Sequence, residues 1–163
     1  MPDSILIAED FDDNRELLRM ILESGGYSIR EARDGREALA AVRAQPPLLA
    51  IIDLSMPALD GWSLLRELRS DERTRSVPCV ALTAFAGEDD RQRALEAGFD
   101  AYLSKPYRAK ELLELVRHTL DRRTPATATA PTQSRARPHP LSESEQPTGA
   151  DLPAAGAVTV AFE

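Results

Sequence analysis

The sequence predicts an α/β domain, a doubly wound parallel sheet with helices on both faces, followed by a tail without fixed structure. Three observations carry this. Short β-type runs alternate with helical apolar stripes five times between residues 4 and 121. The third run has no polar face. Composition also changes sharply after Arg123, which divides the chain into a domain at residues 1–123 and a tail at 124–163.

The first run, Ser4-Ile5-Leu6-Ile7-Ala8, precedes a helix striped by Leu17, Leu18, Ile21 and Leu22 and stopped by Gly25-Gly26. Tyr27-Ser28-Ile29-Arg30-Glu31-Ala32 makes the second run. Asp34 then caps a helix carrying Ala38, Leu39 and Val42, which ends before Pro46-Pro47. Leu48-Leu49-Ala50-Ile51-Ile52 suits a central strand covered on both sides, and Leu64, Leu65 and Leu68 stripe the helix after it. The fourth run begins at Val77. Its helix has a weak stripe, Ala94 and Leu95, between Gly87 and Gly98, and suits an element that moves. Asp100-Ala101-Tyr102-Leu103 is the fifth run, and Leu112, Leu113, Val116 and Leu120 stripe the last helix.

Composition excludes several classes of function. A net charge of −7 and a pI near 5.0 repel nucleic acid and anionic lipid, so neither is expected as a direct partner. No apolar run approaches the roughly 18 to 20 residues of a bilayer helix, and Met1-Pro2-Asp3-Ser4 lacks a signal peptide's basic flank; a cytoplasmic location is expected. The single cysteine, Cys79, lies in an apolar run and reads as a small buried hydrophobe. The tail holds six of the 12 prolines and long Ala, Thr, Ser and Gln stretches, too little apolar surface to offset backbone ordering. It is read as a floppy, disordered tail with no output module, its apolar end, Ala157–Phe162, being otherwise a docking peptide or an opportunistic strand.

Ligands of open α/β sheets bind beyond the carboxyl ends of the strands. Those ends carry Glu9-Asp10, Asp53, Thr83-Ala84 and Ser104-Lys105-Pro106. Three carboxylates about 5 Å apart repel by roughly 3 kcal/mol per pair at an effective dielectric near 20, so the site asks for a cation. Oxygen ligands favour Mg²⁺, held by Asp10 and Asp53 with a phosphoryl group completing its shell. The chain uses Arg 18 times and Lys twice, which makes the compact ammonium of Lys105 informative as a charge for that phosphoryl group. Thr83 supplies a hydroxyl donor. Asp53 is then the nucleophile, giving an aspartyl phosphate.

This set, with Asp53-Leu54-Ser55-Met56-Pro57-Ala58-Leu59-Asp60-Gly61 in its middle, closely resembles the receiver domain of bacterial two-component response regulators, of the stand-alone type, over residues 4–121. The resemblance implies a flavodoxin-like (βα)5 sheet in the order 2-1-3-4-5 and transfer of a phosphoryl group from a sensor histidine kinase to Asp53. It implies Mg²⁺ on Glu9, Asp10, Asp53 and the Ser55 carbonyl, with Thr83 and Lys105 on the phosphoryl oxygens. Tyr102 matches the family's aromatic switch, which follows Thr83 and alters the surface of the fourth helix, fifth strand and fifth helix. The Lys105-Pro106 bond is expected to be cis. Ser55 and Phe85 occupy positions that tune hydrolysis, and bulky Phe85 is expected to shield the phosphate. Partners implied are the kinase and a downstream protein target or histidine phosphotransfer protein, with homodimerisation through the switching face within the family's range.

Other readings fit less well. A flavodoxin-type cofactor binder needs phosphate donors in its first loop, where Glu9-Asp10-Phe11-Asp12-Asp13 places four acids. An aspartate-nucleophile phosphatase carries a second acid where Ser55 stands, so the chain is not expected to be an enzyme beyond promoting its own phosphorylation and dephosphorylation. Within signalling, a phosphorelay intermediate and a tail-dependent adaptor remain open. His118, His139 and Trp62 carry no functional signal, and Trp62 is expected to pack.

Overall fold

The computed structural model describes residues 4–85 and 87–123. The readings of the tail, and of its apolar end, lie outside the described residues. Among the described residues, five strands, β1 (Ser4–Ala8), β2 (Ser28–Ala32), β3 (Leu49–Asp53), β4 (Cys79–Thr83) and β5 (Ala101–Ser104), alternate with five helices. The helices are α1 (Asp12–Ser24), α2 (Gly35–Ala44), α3 (Gly61–Ser70), α4 (Glu88–Ala97) and α5 (Ala109–Arg123). All pairings are parallel, and the order is β2-β1-β3-β4-β5, as expected.

Side chains alternate across a strand, so the sheet feeds two cores. Leu6, Ala8 and Ile52 pack with Ala38, Leu64, Leu65 and Leu68 on one side. Ile5, Ile7 and Ile51 pack with Leu18, Leu22, Leu112 and Val116 on the other. Strands β1, β3 and β4 are buried throughout, while edge strand β2 exposes Ser28 and Glu31. Among the described residues no helix is long and apolar enough to cross a membrane.

Local chemistry sets the element ends. Asp34 and Asp60 accept the Glu37 and Ser63 N–H groups and cap α2 and α3. Gly98 closes α4 with a φ of 113°, a left-handed conformation that other residues adopt only under strain. Strand β4 starts at Cys79 rather than at Val77, since Pro78 has no N–H for a ladder. The expected stripe of α1 needs correction. Its buried face is Arg15, Leu18 and Leu22, and Leu17 is 50% exposed. Helix α4 buries only Ala94 and lacks a side-chain N-cap. Trp62 packs as expected, edge-on to Phe99 at 5.9 Å between ring centroids, with the Arg93 guanidinium 5.6 Å from its ring centre.

Candidate functional site

Strand register assembles the site. Ala8 pairs with Ile52, so Glu9, one residue on, arrives beside Asp53; Asp53 pairs with Leu82, so Thr83 lies one residue beyond its level on the other side. Thr83 pairs with Ser104, which brings Lys105 to the same edge. Adjacent strands are about 4.8 Å apart and β5 is two strands from β3, so only a long side chain returns from there to Asp53. Lys105 Nζ does so, at 2.7 Å from Asp53 Oδ2 and 2.9 Å from Glu9 Oε2. The loop after β3 is held close by Gly61, where a Cβ would sit 2.5 Å from the Asp53 carbonyl oxygen. The Lys105-Pro106 peptide is cis, as expected.

Asp53 Oδ1 accepts the Ser55 N–H at 2.8 Å, and Glu9 Oε1 accepts the Phe11 N–H at 3.1 Å. Glu9 and Asp53 are buried and Asp10 is exposed, yet one carboxylate oxygen from each lies within 4.8 Å of the others. Burial, then the neighbouring Asp53, pushes the Glu9 carboxyl up from 4.5 to about 7. Burial would lower the Lys105 ammonium, but Asp53 and Glu9 outweigh it and hold the pKa above its ordinary value. A single ammonium thus faces a cluster of three carboxyl groups. An all-oxygen donor set with one exposed member fits a hard divalent cation that keeps part of its water.

The two residues expected to switch meet at Phe85, one on its N–H and the other on its carbonyl. Thr83 Oγ1 accepts the Phe85 N–H at 3.1 Å, and the Tyr102 hydroxyl donates to the Phe85 carbonyl. Burial, with Asp90 nearby, raises the Tyr102 phenol above its ordinary pKa. Phe85 itself is 66% exposed. It lines a cavity of about 310 Å³ with Thr83, Arg93 and the two residues that follow Asp53, Leu54 and Ser55. The Ser55 side chain is exposed there.

Glu9, Asp10, Asp53, Ser55, Thr83 and Lys105 therefore sit at this edge of the sheet, and Tyr102 reaches Phe85 beside it from within β5. Arg15 and Tyr107 were not singled out. Arg15 reaches the Glu9 carbonyl from α1, and its signal was legible as a charge in register with Leu18 and Leu22. Tyr107 lines an opening of about 320 Å³ with Asn14, Leu17, Lys105 and Pro106, and burial pushes its phenol up to about 12.

The family model for the response regulator receiver domain matches residues 5–117. An uncharacterized 14.6 kDa protein of Leptolyngbya boryana is 41% identical over 112 residues, covering 69% of this chain and 86% of that protein. The polar-differentiation response regulator DivK of Brucella anthropi is 35% identical over 120 residues, 74% of this chain and 98% of DivK. Among solved structures, the receiver domain of the Pseudomonas aeruginosa sensor histidine kinase PA1611, with magnesium in its active-site cleft, is 35% identical. It superimposes with a TM-score of 0.68 over 74% of this chain and 99% of that one. Fold, strand-end chemistry and a match over more than two thirds of the sequence agree, and the chain belongs to the response regulator receiver domain family of two-component systems.

Proposed function

We propose that the chain accepts a phosphoryl group from a sensor histidine kinase on Asp53 and answers by switching the face made of α4, β5 and α5, which then controls a partner protein. The observation that carries this reading is the Asp53 carboxylate, buried at the end of the central strand with Lys105 Nζ 2.7 Å away and Glu9 and Asp10 beside it. In the transfer, the N–P bond of a phosphohistidine breaks as an Asp53 oxygen bonds to phosphorus, and the imidazole leaves with the bonding pair. Lys105 is placed to swing its ammonium from Asp53 Oδ2 to a phosphoryl oxygen, and the Ser55 N–H orients the carboxylate.

Mg²⁺ fits the oxygen donors of Glu9, Asp10, Asp53 and the Ser55 carbonyl; when bound it supplies charge that offsets the carboxylates and the incoming phosphoryl group. The Thr83 hydroxyl, released from the Phe85 N–H, donates to a phosphoryl oxygen. Because Tyr102 holds the Phe85 carbonyl and Thr83 the Phe85 N–H, a shift of Thr83 is passed to β5 through the backbone of that residue. The tail on which the adaptor reading turns lies outside the described residues. A relay role, handing phosphate on to a histidine phosphotransfer protein, is favoured to the extent that similar structures are receiver domains of histidine kinases.

Intact-mass analysis after incubation with a small phosphoryl donor and Mg²⁺ tests the reading. One phosphoryl adduct is expected on the wild type, and none on Asp53→Asn or in EDTA. An adduct that survives Asp53→Asn would refute it.

A further inference from the structure

Arg15 has no part in the chemistry above, yet only 8% of its surface is exposed, a placement that an arginine tolerates when it is paired. Its Nη1 donates to the Glu9 carbonyl oxygen at 3.0 Å, and its Nη2 to Asp12 Oδ1. Its Nε lies 3.6 Å from Glu31 Oε1 on β2. One guanidinium thus ties together the end of β1, the first turn of α1 and the neighbouring strand.

The Glu9 carbonyl belongs to the peptide joining Glu9 to Asp10, the two residues whose carboxylates approach Asp53. Holding that peptide fixes both side chains at once. Asp12 follows Asp10 by two residues and is 82% exposed at its side chain, but its carboxylate is turned to Arg15 and stands outside the three-carboxylate cluster. Arg15 therefore both anchors the loop that bears two oxygen donors and keeps a rival carboxylate away from them.

We propose that Arg15 is a positioning residue for the divalent cation, holding the Glu9-Asp10 peptide so that its two carboxylates converge with Asp53; this rests on the Mg²⁺ reading above. Charge and position oppose each other here. Removing a nearby positive charge should by itself tighten Mg²⁺ binding, whereas releasing the loop should weaken it.

Calorimetric titration with Mg²⁺ at about pH 8, above the Glu9 transition, separates the two effects in the full chain. Arg15→Gln and Arg15→Lys are each expected to bind about tenfold more weakly than the wild type. Lysine keeps the charge but lacks the fork by which Nη1, Nη2 and Nε reach the Glu9 carbonyl, Asp12 and Glu31 at once, so weakening in Arg15→Lys is the decisive result, and it suffices alone should Arg15→Gln fail to fold. Tighter binding by Arg15→Gln with unchanged binding by Arg15→Lys would mean a charge effect only and overturn the proposal. Lower melting temperatures with unchanged titrations would mean a merely structural role and overturn it equally. Absence of Mg²⁺ binding by the wild type would remove the cation reading and this inference with it, whereas binding that is lost in Asp10→Asn upholds that reading whatever the Arg15 variants do.

Discussion

Glu9 is asked to stay buried beside Asp53 and still serve as an anionic ligand. Its carboxyl, raised from 4.5 to about 7, binds more protons in the folded than in the unfolded chain between those values. Its stabilising contribution is therefore complete below about 4.5 and is lost as pH rises through 7. Melting temperature in EDTA should fall across this window more steeply for the wild type than for Glu9→Gln. A cation selects the ionised form, so Mg²⁺ should flatten the wild-type profile. Phe85 poses a different question at the same scale. It is mostly exposed and lines the cavity with Ser55 and Thr83, and on the proposed reading its ring shields the phosphorylated Asp53 from water. Loss of the adduct, followed by intact mass after removal of the donor, should be a few-fold faster in Phe85→Ala.

The helices divide into rigid and loosely held members. Helices α2 and α3 are capped by aspartates and present continuous apolar faces; Asp34→Ala should cost about 1 kcal/mol and Leu68→Ala about 2 to 5 kcal/mol, read from urea midpoints. Helix α4 has one buried residue and no side-chain N-cap, so its amides should exchange with deuterium faster than those of α3. Its carboxyl end is better held, because Arg69 of α3 donates to the Gly98 carbonyl and pairs with Asp100. The weak stripe of α4 was legible in Ala94 and Leu95. The Arg69 anchorage was not, since an arginine at a helix end reads as a solvated charge until the loops it reaches are placed. Leu17 misled for a related reason. Spacing assigned it to the core, but the buried face of α1 turns towards Arg15, leaving Leu17 beside Tyr107 at the rim of the site.

For the molecule as a whole, strand order converts a linear pattern into a site. The sequence showed which residues end each strand, and alternation showed which runs are strands; neither contains the pairing that puts β1 and β4 on either side of β3. That pairing came from the family resemblance, and the register makes its consequence concrete in the 2.7 Å contact between Lys105 and Asp53, residues 52 positions apart. Because the carboxylates of the site come from the ends of β1 and β3, a cation bound there joins parts of the fold that are distant in sequence. At ten times its dissociation constant, Mg²⁺ should add about 1.4 kcal/mol to stability, seen as a higher melting temperature that shrinks in Asp10→Asn.

Trp62 is the chain's single tryptophan, and both of its described ring contacts, Arg93 and Phe99, come from α4 or the residues just after it. The molecule thus carries an intrinsic optical reporter at the boundary with its most loosely held helix. A displacement of α4 changes the charge and the quenching environment above the indole, so Trp62 emission should follow adduct formation in real time in the unlabelled protein. Stopped-flow fluorescence would then time the movement of the helix against the chemistry at Asp53.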